Sequence, residues 1–524
     1  MKNIFKYLGI LLVSLFILNT NVLADSKVNI DLDNLKIDNK SIKEYDNLED
    51  FIKDYNNDNL DDVYITNFLF DGVSSVKSPD LDDFIENNSN DTKIKNLDIK
   101  VLNINNIGNY ELSGKFVGMI AVNTNELKGD INLYLNNVSI DTDTKKAPAI
   151  YVYNKDINYT DCKVTIYSVS NSKNYIEGGK LKKVSLVGSD ELDKYSSNYM
   201  GDMKNNYGIY TSYYGIYTNN QIDNILFAKV TADKEDLQDG DPYYFYKASG
   251  SISSDIDLYF AGDGYLNVTS KNKEGIETKG NLYLGDGKGD YVINAMDDCI
   301  NTTTSFQAEN VRNDLVINVN TLYANVLDDA DEGDAIDSNG ILTINAGTIY
   351  AFAHYKSGDS GLDSDKGTYI NGGTIIATGN MDDRIDSSSQ KNIYVTFNET
   401  IPANTLLVIK DENDKIITAF KTNKDIKTLL YTTKDLSYNS YKIYKDGVIT
   451  GDSENGLYYS IDSYTDGTLV SYSNSDNFIN NSNNNEDISN KLLNVLLVEI
   501  SALVLILLYV FISKKREDNN KLSN

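Results

Sequence analysis

Gly275-Ile276-Glu277-Thr278, Cys299-Ile300-Asn301-Thr302, Ala335-Ile336-Asp337-Ser338, Gly361-Leu362-Asp363-Ser364 and Arg384-Ile385-Asp386-Ser387 are five versions of one phrase: small residue, aliphatic, acid or amide, hydroxyl. They recur at intervals of about 23 to 26 residues, with one longer interval, the signature of stacked units that cannot bury an apolar face singly. Two units register beyond the phrase itself. Ile336, Ile344, Ile349 and Ala351 return as Leu362, Ile370, Ile375 and Ala377, and Gly347-Thr348-Ile349 returns as Gly373-Thr374-Ile375. Short β-branched runs between Gly, Asn and Asp turns, with no long 3.6-residue apolar pattern, predict strands rather than helices. The expected fold is all-β: a right-handed parallel β-helix, or solenoid, with a small C-terminal β domain or cap and a C-terminal transmembrane helix.

In such a stack, equivalent residues stand about 4.8 Å apart. The repeated acids then form an outer column in which neighbouring carboxylates repel by about 1 kcal/mol even at the dielectric of water. Glu274, Glu277, Asp297, Asp298, Asp334, Asp337, Asp363, Asp382, Asp383 and Asp386 fall at or beside the repeated turn, with Asn301 as a neutral member. Such acids also solvate a face or cap turns through Asx hydrogen bonds. Recurrence at one turn favours a metal instead, and carboxylate, amide and carbonyl oxygens suit Ca²⁺, whose irregular coordination tolerates turns. Ser360 in the place of Asp334, and Arg384 in the last turn, mark units that need not bind metal.

Lys2 and Lys6 before the apolar stretch Leu8 to Leu18, then Val22-Leu23-Ala24, read as a secretory signal over residues 1–24. An apolar run at 491–513 is long enough to cross a bilayer, and Lys514-Lys515-Arg516 opens a cytoplasmic tail over 514–524. Between the ends the chain divides into a lead-in at 25–95 with a helix near Leu48 to Tyr55, the β-helix at 96–390, a β cap at 391–472 and a disordered stalk at 473–490. A Lys-, Asp- and Tyr-rich excursion over 229–246 interrupts the periodicity. The expected location is the cell membrane, single-pass, with the main domain outside.

A net charge of −29 argues against nucleic acid or an anionic membrane surface as direct partners. An anionic ligand needs a cation bridge, whereas a neutral one needs flat apolar faces and hydroxyl or amide partners. The chain has no Trp but 39 tyrosines, most of which suit half-buried strands. The cluster around Tyr210, Tyr214 and Tyr217 is the better sugar-binding candidate. Two cysteines do not supply the stability of so long an exported chain, and Cys299 beside the inward Ile300 reads as a buried thiol rather than a bridge to Cys162. The one histidine, His354, assembles no Ser-His-Asp or Cys-His arrangement and reads as a surface residue.

Gly108-Asn109-Tyr110-Glu111-Leu112-Ser113-Gly114, Ile131-Asn132-Leu133-Tyr134-Leu135-Asn136-Asn137-Val138, Ala147-Pro148-Ala149-Ile150, Gly262-Asp263-Gly264-Tyr265-Leu266-Asn267-Val268 and the acidic turns resemble a family of exported, clostridial-type bacterial carbohydrate-binding domain proteins with a pectate-lyase-like parallel β-helix. The resemblance covers about residues 95 to 440. It implies calcium along the stacked turns, adhesion to acidic polysaccharide such as polygalacturonate, and metal ligands at Asp298, Asp334, Asp337, Asp363, Asp383 and Asp386. A lyase on the same scaffold needs calcium to acidify the uronate C–H and a Lys or Arg as base, for which Arg384, Lys356 and Lys366 are candidates. A calcium-stiffened structural adhesin is the third reading. The expected function is a membrane-anchored carbohydrate-binding protein, with Lys356 and Arg384 beside the tyrosines as sugar contacts.

Overall fold

The computed structural model describes most of residues 27–66, 100–178 and 250–474, together with short strands at 211–213, 229–231 and 478–479. Almost every element is a strand; the described helix is Leu48–Asn56, where the sequence predicts one, with Phe51 buried against Tyr45 and Tyr64.

Two long strands organise the centre, and their sequences show how. In Gly129–Asp141 the buried positions run Ile131, Leu133, Leu135 and then Val138, Ile140. The period of two slips by one residue at Asn136-Asn137, where Asn137 takes a left-handed φ of 58°. One edge of the strand therefore meets two partners, Cys162–Ser168 with its first half and Lys173–Gly178 with its second, while Gly108–Val117 runs along the other edge. Leu282–Ala295 repeats the device: Leu282 and Leu284, then Tyr291, Ile293 and Ala295 are buried, and the slip falls at Gly285-Asp286-Gly287-Lys288-Gly289. Its two halves pair with Leu258–Ala261 and Tyr265–Ser270, which pair in turn with Cys162–Ser168 and Lys173–Gly178. Six parallel strands thus close into a ring.

This closure corrects the expected right-handed solenoid, while a separate antiparallel sheet within 406–469 stands where the cap was expected. The phase slips let one strand serve two neighbours, so the ladder returns on itself, and further sheets extend from the ring. Leu315–Val326 and Leu342–Phe352 continue it in parallel. Antiparallel ladders then take over, with Ile426–Thr432 between Thr374–Gly379 and Asn392–Ile401. The span expected at 491–513 lies outside the described residues, and among those residues no helix is long and apolar enough to cross a membrane. Of the 229–246 excursion, Lys229–Thr231 pairs antiparallel with Thr211–Tyr213.

A second, ten-stranded sheet carries the repeated phrase. Ile252–Ser254, Ile276–Thr278, Ile300–Thr302 and Ile336–Ser338 pair in parallel and in register, and Asp363–Ser364 joins at the edge. Their isoleucines are fully buried in one continuous core. The predicted register between units holds: Ile344 faces Ile370, Ile349 faces Ile375 and Ala351 faces Ala377. Ile349 and Ala351 enter this core, while Tyr350 and Phe352 enter a second one with Ile393, Val395 and Phe420. A strand buried on both faces reads as a continuous apolar run, as this one does. Ile336→Ala in the centre of the column is expected to cost about 2–5 kcal/mol, read as a lower urea midpoint with an unchanged slope; a loss of a few tenths would show the layers relaxing independently. Cys299 is a buried free thiol, as expected, and Cys162 is a second one.

Candidate cation site

The in-register strands place Glu277, Asn301, Asp337 and Asp363 opposite one another in one column. Each stands between a buried isoleucine or leucine and a buried Thr or Ser, so the pleat turns all four to the opposite side from the core. A second row lies one turn earlier. Asp298 accepts the Asp334 backbone N–H at 2.8 Å, and Asp334 in turn accepts that of Ser360. Each carboxylate ties its own unit to the next.

One carboxylate oxygen from each of Asp334, Asp337 and Asp363 lies within 4.8 Å of the others. Burial pushes the Asp334 carboxyl up to about 9, with Asp298 adding to the rise. Asp337 is pushed up to about 8 by burial and then by Asp298, Asp363, Asp365 and Asp383. Asp298 reaches about 7 through burial and Asp297. Asp363 also rises by burial, partly offset by the Ser364 N–H. The site is short of positive charge at neutral pH and must take up protons or a cation.

A hard cation fits the residues present. The donors are all oxygen, and Asn301 gives its Nδ2 to Asp298 while its Oδ1 is buried with no hydrogen-bond partner. Glu277 Oε2 is likewise buried and unpartnered. Three carboxylates with oxygens within 4.8 Å of one another, and the Asn301 amide oxygen on the strand next to Asp337, are hard oxygen donors of the kind that Ca²⁺ takes, with water or ligand oxygens to complete its shell.

Of the seven metal candidates, Asp298, Asn301, Asp334, Asp337 and Asp363 come together in this way. The last phrase departs from the pattern. Ile385 pairs with Thr368 in the other sheet, so Asp386 leaves the column; burial raises its carboxyl, but the Ser388 hydroxyl and N–H outweigh this and hold it below the usual range. Asp383 closes the column instead. It accepts the Ser364 N–H at 2.9 Å, covering the edge strand, and its own N–H is held by the Tyr394 hydroxyl at 2.9 Å. Tyr394 comes from a strand beyond the repeats, and no sequence pattern links it to the acids.

Arg384 borders the site: its Nη2 donates to the Asp365 carbonyl at 2.9 Å and its Nε stands 4.0 Å from Asp383 Oδ1. Lys356 is exposed in the turn after Leu342–Phe352, its ammonium 4.6 Å from the Tyr355 ring centre. Tyr210, Tyr214 and Tyr217 lie outside the described residues. His354, expected at the surface, is buried, with Nδ1 2.8 Å from Ser357 Oγ. The turn it stands in packs under Asn380, which donates to the His354 and Ser357 carbonyls.

Among solved structures, the gadolinium derivative of a polysaccharide lyase-like protein from C. thermocellum is similar at 18% identity, over 51% of this chain and 82% of that one, with a TM-score of 0.28. No curated protein matches the chain. Residues 216–440, which contain every acid of the column, match the family model described as carbohydrate-binding domain-containing protein.

Proposed function

We propose that this protein binds polysaccharide, and that it holds acidic glycan through calcium at Asp334, Asp337 and Asp363. The observation that carries the reading is the convergence of three partly buried carboxylates with an orphaned amide oxygen, inside the segment that matches a carbohydrate-binding family. A cation there neutralises the column and leaves open positions for uronate carboxylates, which a chain of net charge −29 otherwise repels. Arg384 at the rim offers a guanidinium to the same anions. Export by residues 1–24 and tethering by 491–513 belong to the same reading, and release of the domain by protease from intact cells checks them.

Affinity gels cast with polygalacturonate provide the test. Retention with calcium, its loss in chelator, and no rise in the ultraviolet absorbance of unsaturated product are expected. Equal migration in gels with and without glycan, in the presence of calcium, overturns the reading; an absorbance rise turns the binder into a lyase.

A further inference from the structure

The turn between Leu342–Phe352 and Asp363–Ser364 is folded around one side chain. The backbone N–H groups of Ser357 and Lys356 donate to His354 Nδ1 at 3.2 and 3.4 Å. The Ser357 hydroxyl stands 2.8 Å from the same nitrogen but donates to Asp359 Oδ2. With two donors aimed at it and the nearby hydroxyl proton directed elsewhere, Nδ1 is an acceptor, and the neutral ring carries its proton on Nε2. The ring is 1% exposed. Asn380 fastens the turn from the next unit: its side chain donates to the His354 and Ser357 carbonyls at 3.2 and 2.7 Å, and its N–H to the Asp359 carbonyl at 2.8 Å.

The same turn grips Asp334 from both sides. Before it in the chain, the His354 N–H donates to the Gly333 carbonyl at 2.9 Å. Asp359 Oδ2, which takes the Ser357 hydroxyl, also accepts the Gly333 N–H at 2.8 Å. The Ser360 N–H then holds Asp334 Oδ1, and the Ser360 carbonyl accepts the Ala335 N–H at 3.2 Å. Residues 333, 334 and 335 are therefore all tied to the 354–360 segment. Gly333 has a φ of 140°, and a Cβ on it would stand 2.6 Å from the Asp297 carbonyl carbon, so this backbone is also pressed against the preceding unit.

We infer that His354 is a positioning residue of the cation site: its unprotonated Nδ1 sets the shape of the 354–359 turn, and the turn aims the Asp334 carboxylate. The inference rests on the calcium reading of Asp334, Asp337 and Asp363. A carboxylate already held by outer hydrogen bonds has less freedom to lose when the ion arrives, and removing such outer partners lowers metal affinity about tenfold to a hundredfold.

Calorimetric titration of calcium into full-length variants separates an acceptor from a mere filler of space. In His354→Asn the amide oxygen stands where Nδ1 stood, although the side chain is smaller; His354→Leu keeps more bulk and offers no acceptor. His354→Leu and Ser357→Ala should each weaken calcium about tenfold, and His354→Asn should stay within about threefold of wild type. A space-filling role predicts the reverse order for the two histidine variants. His354 is the only histidine of the chain, so nitrogen NMR of protein labelled in its imidazole reads one ring: the Nε2–H tautomer is expected, with an Nδ1 signal that shifts when calcium is added. His354→Leu and Ser357→Ala both binding within about twofold of wild type, His354→Asn binding more weakly than His354→Leu, or a proton on Nδ1 overturns the positioning role and leaves the calcium site standing. Should His354→Leu fail to fold, Ser357→Ala, which removes one hydroxyl, decides by itself. Wild-type protein that binds no calcium overturns the inference together with the function it rests on.

Discussion

Asp334→Asn combined with Asp337→Asn should raise the thermal midpoint in chelator by several degrees and remove the further rise that calcium gives the wild type. Both effects have one cause. At separations up to 4.8 Å the three carboxylates repel by roughly 3 kcal/mol per pair at an effective dielectric near 20, and protonation relieves only part of this. Asparagine keeps the shape, and its Oδ1 at position 334 still accepts the Ser360 N–H that ties two units together. The charge goes while the connection stays. In the wild type, calcium at about a hundred times its dissociation constant adds about 2.7 kcal/mol, and the double variant has lost the oxygens that supply it. Differential scanning calorimetry with and without calcium reads both. A double variant that is less stable in chelator, or that still gains stability from calcium, would place the cation elsewhere.

In chelator, wild-type stability should be greatest near pH 4 to 5 and decline steadily toward pH 9; with calcium the decline above pH 6 should largely vanish. Asp298, Asp334 and Asp337 have native values of about 7, 9 and 8, whereas an unfolded aspartate titrates near 3.9. Between those limits the native state holds protons that the unfolded chain has released. Stability must then fall as pH rises, by about 1.4 kcal/mol per pH unit for each such proton. The contribution is complete below the unfolded value and lost once pH passes the native ones. Asp386 and Glu412 act oppositely, since their native values are depressed; they stabilise above the unfolded value and release that stability only as pH falls below about 4. The two windows are separate. Calcium competes with the retained protons, so its affinity should climb with pH over the interval in which the metal-free protein weakens. Urea unfolding at half-unit pH steps measures this, and a flat profile in chelator would mean that the acids are ionised and solvated.

The acid column was legible because two constraints leave their mark directly on the chain. Period-two alternation put the acid between two buried residues in every copy, and the recurrence put the copies in register, so Glu277, Asn301, Asp337 and Asp363 could be named together. Asp386 shows where that reasoning ends. Its tetrapeptide satisfies the same pattern, yet Ile385 pairs into the other sheet, where Phe478 also meets it. Asp383 takes the vacant place because Tyr394, from a strand that no repeat predicts, fixes its backbone. The histidine was misread for a similar reason: one polar residue in a turn gives no local sign that Asn380 will be drawn over it.

The ring was present in the sequence as a pair of phase slips, at Asn136-Asn137 and at Gly285–Gly289, where the period-two alternation changes face. A slip records that the inward face changes; it does not record that both halves of one strand will find separate partners. The pattern of alternation and repeat alone determined that the chain is all-β, which aliphatic residues are buried and that the acids stack, because these follow from side-chain direction along a strand and from identical spacing. Closure of the six strands, the exchange of Asp383 for Asp386 and the burial of His354 were decided only by the tertiary structure. Each depends on which strand lies next to which, and that choice is made by the packing of residues distant in sequence, where local propensity is silent.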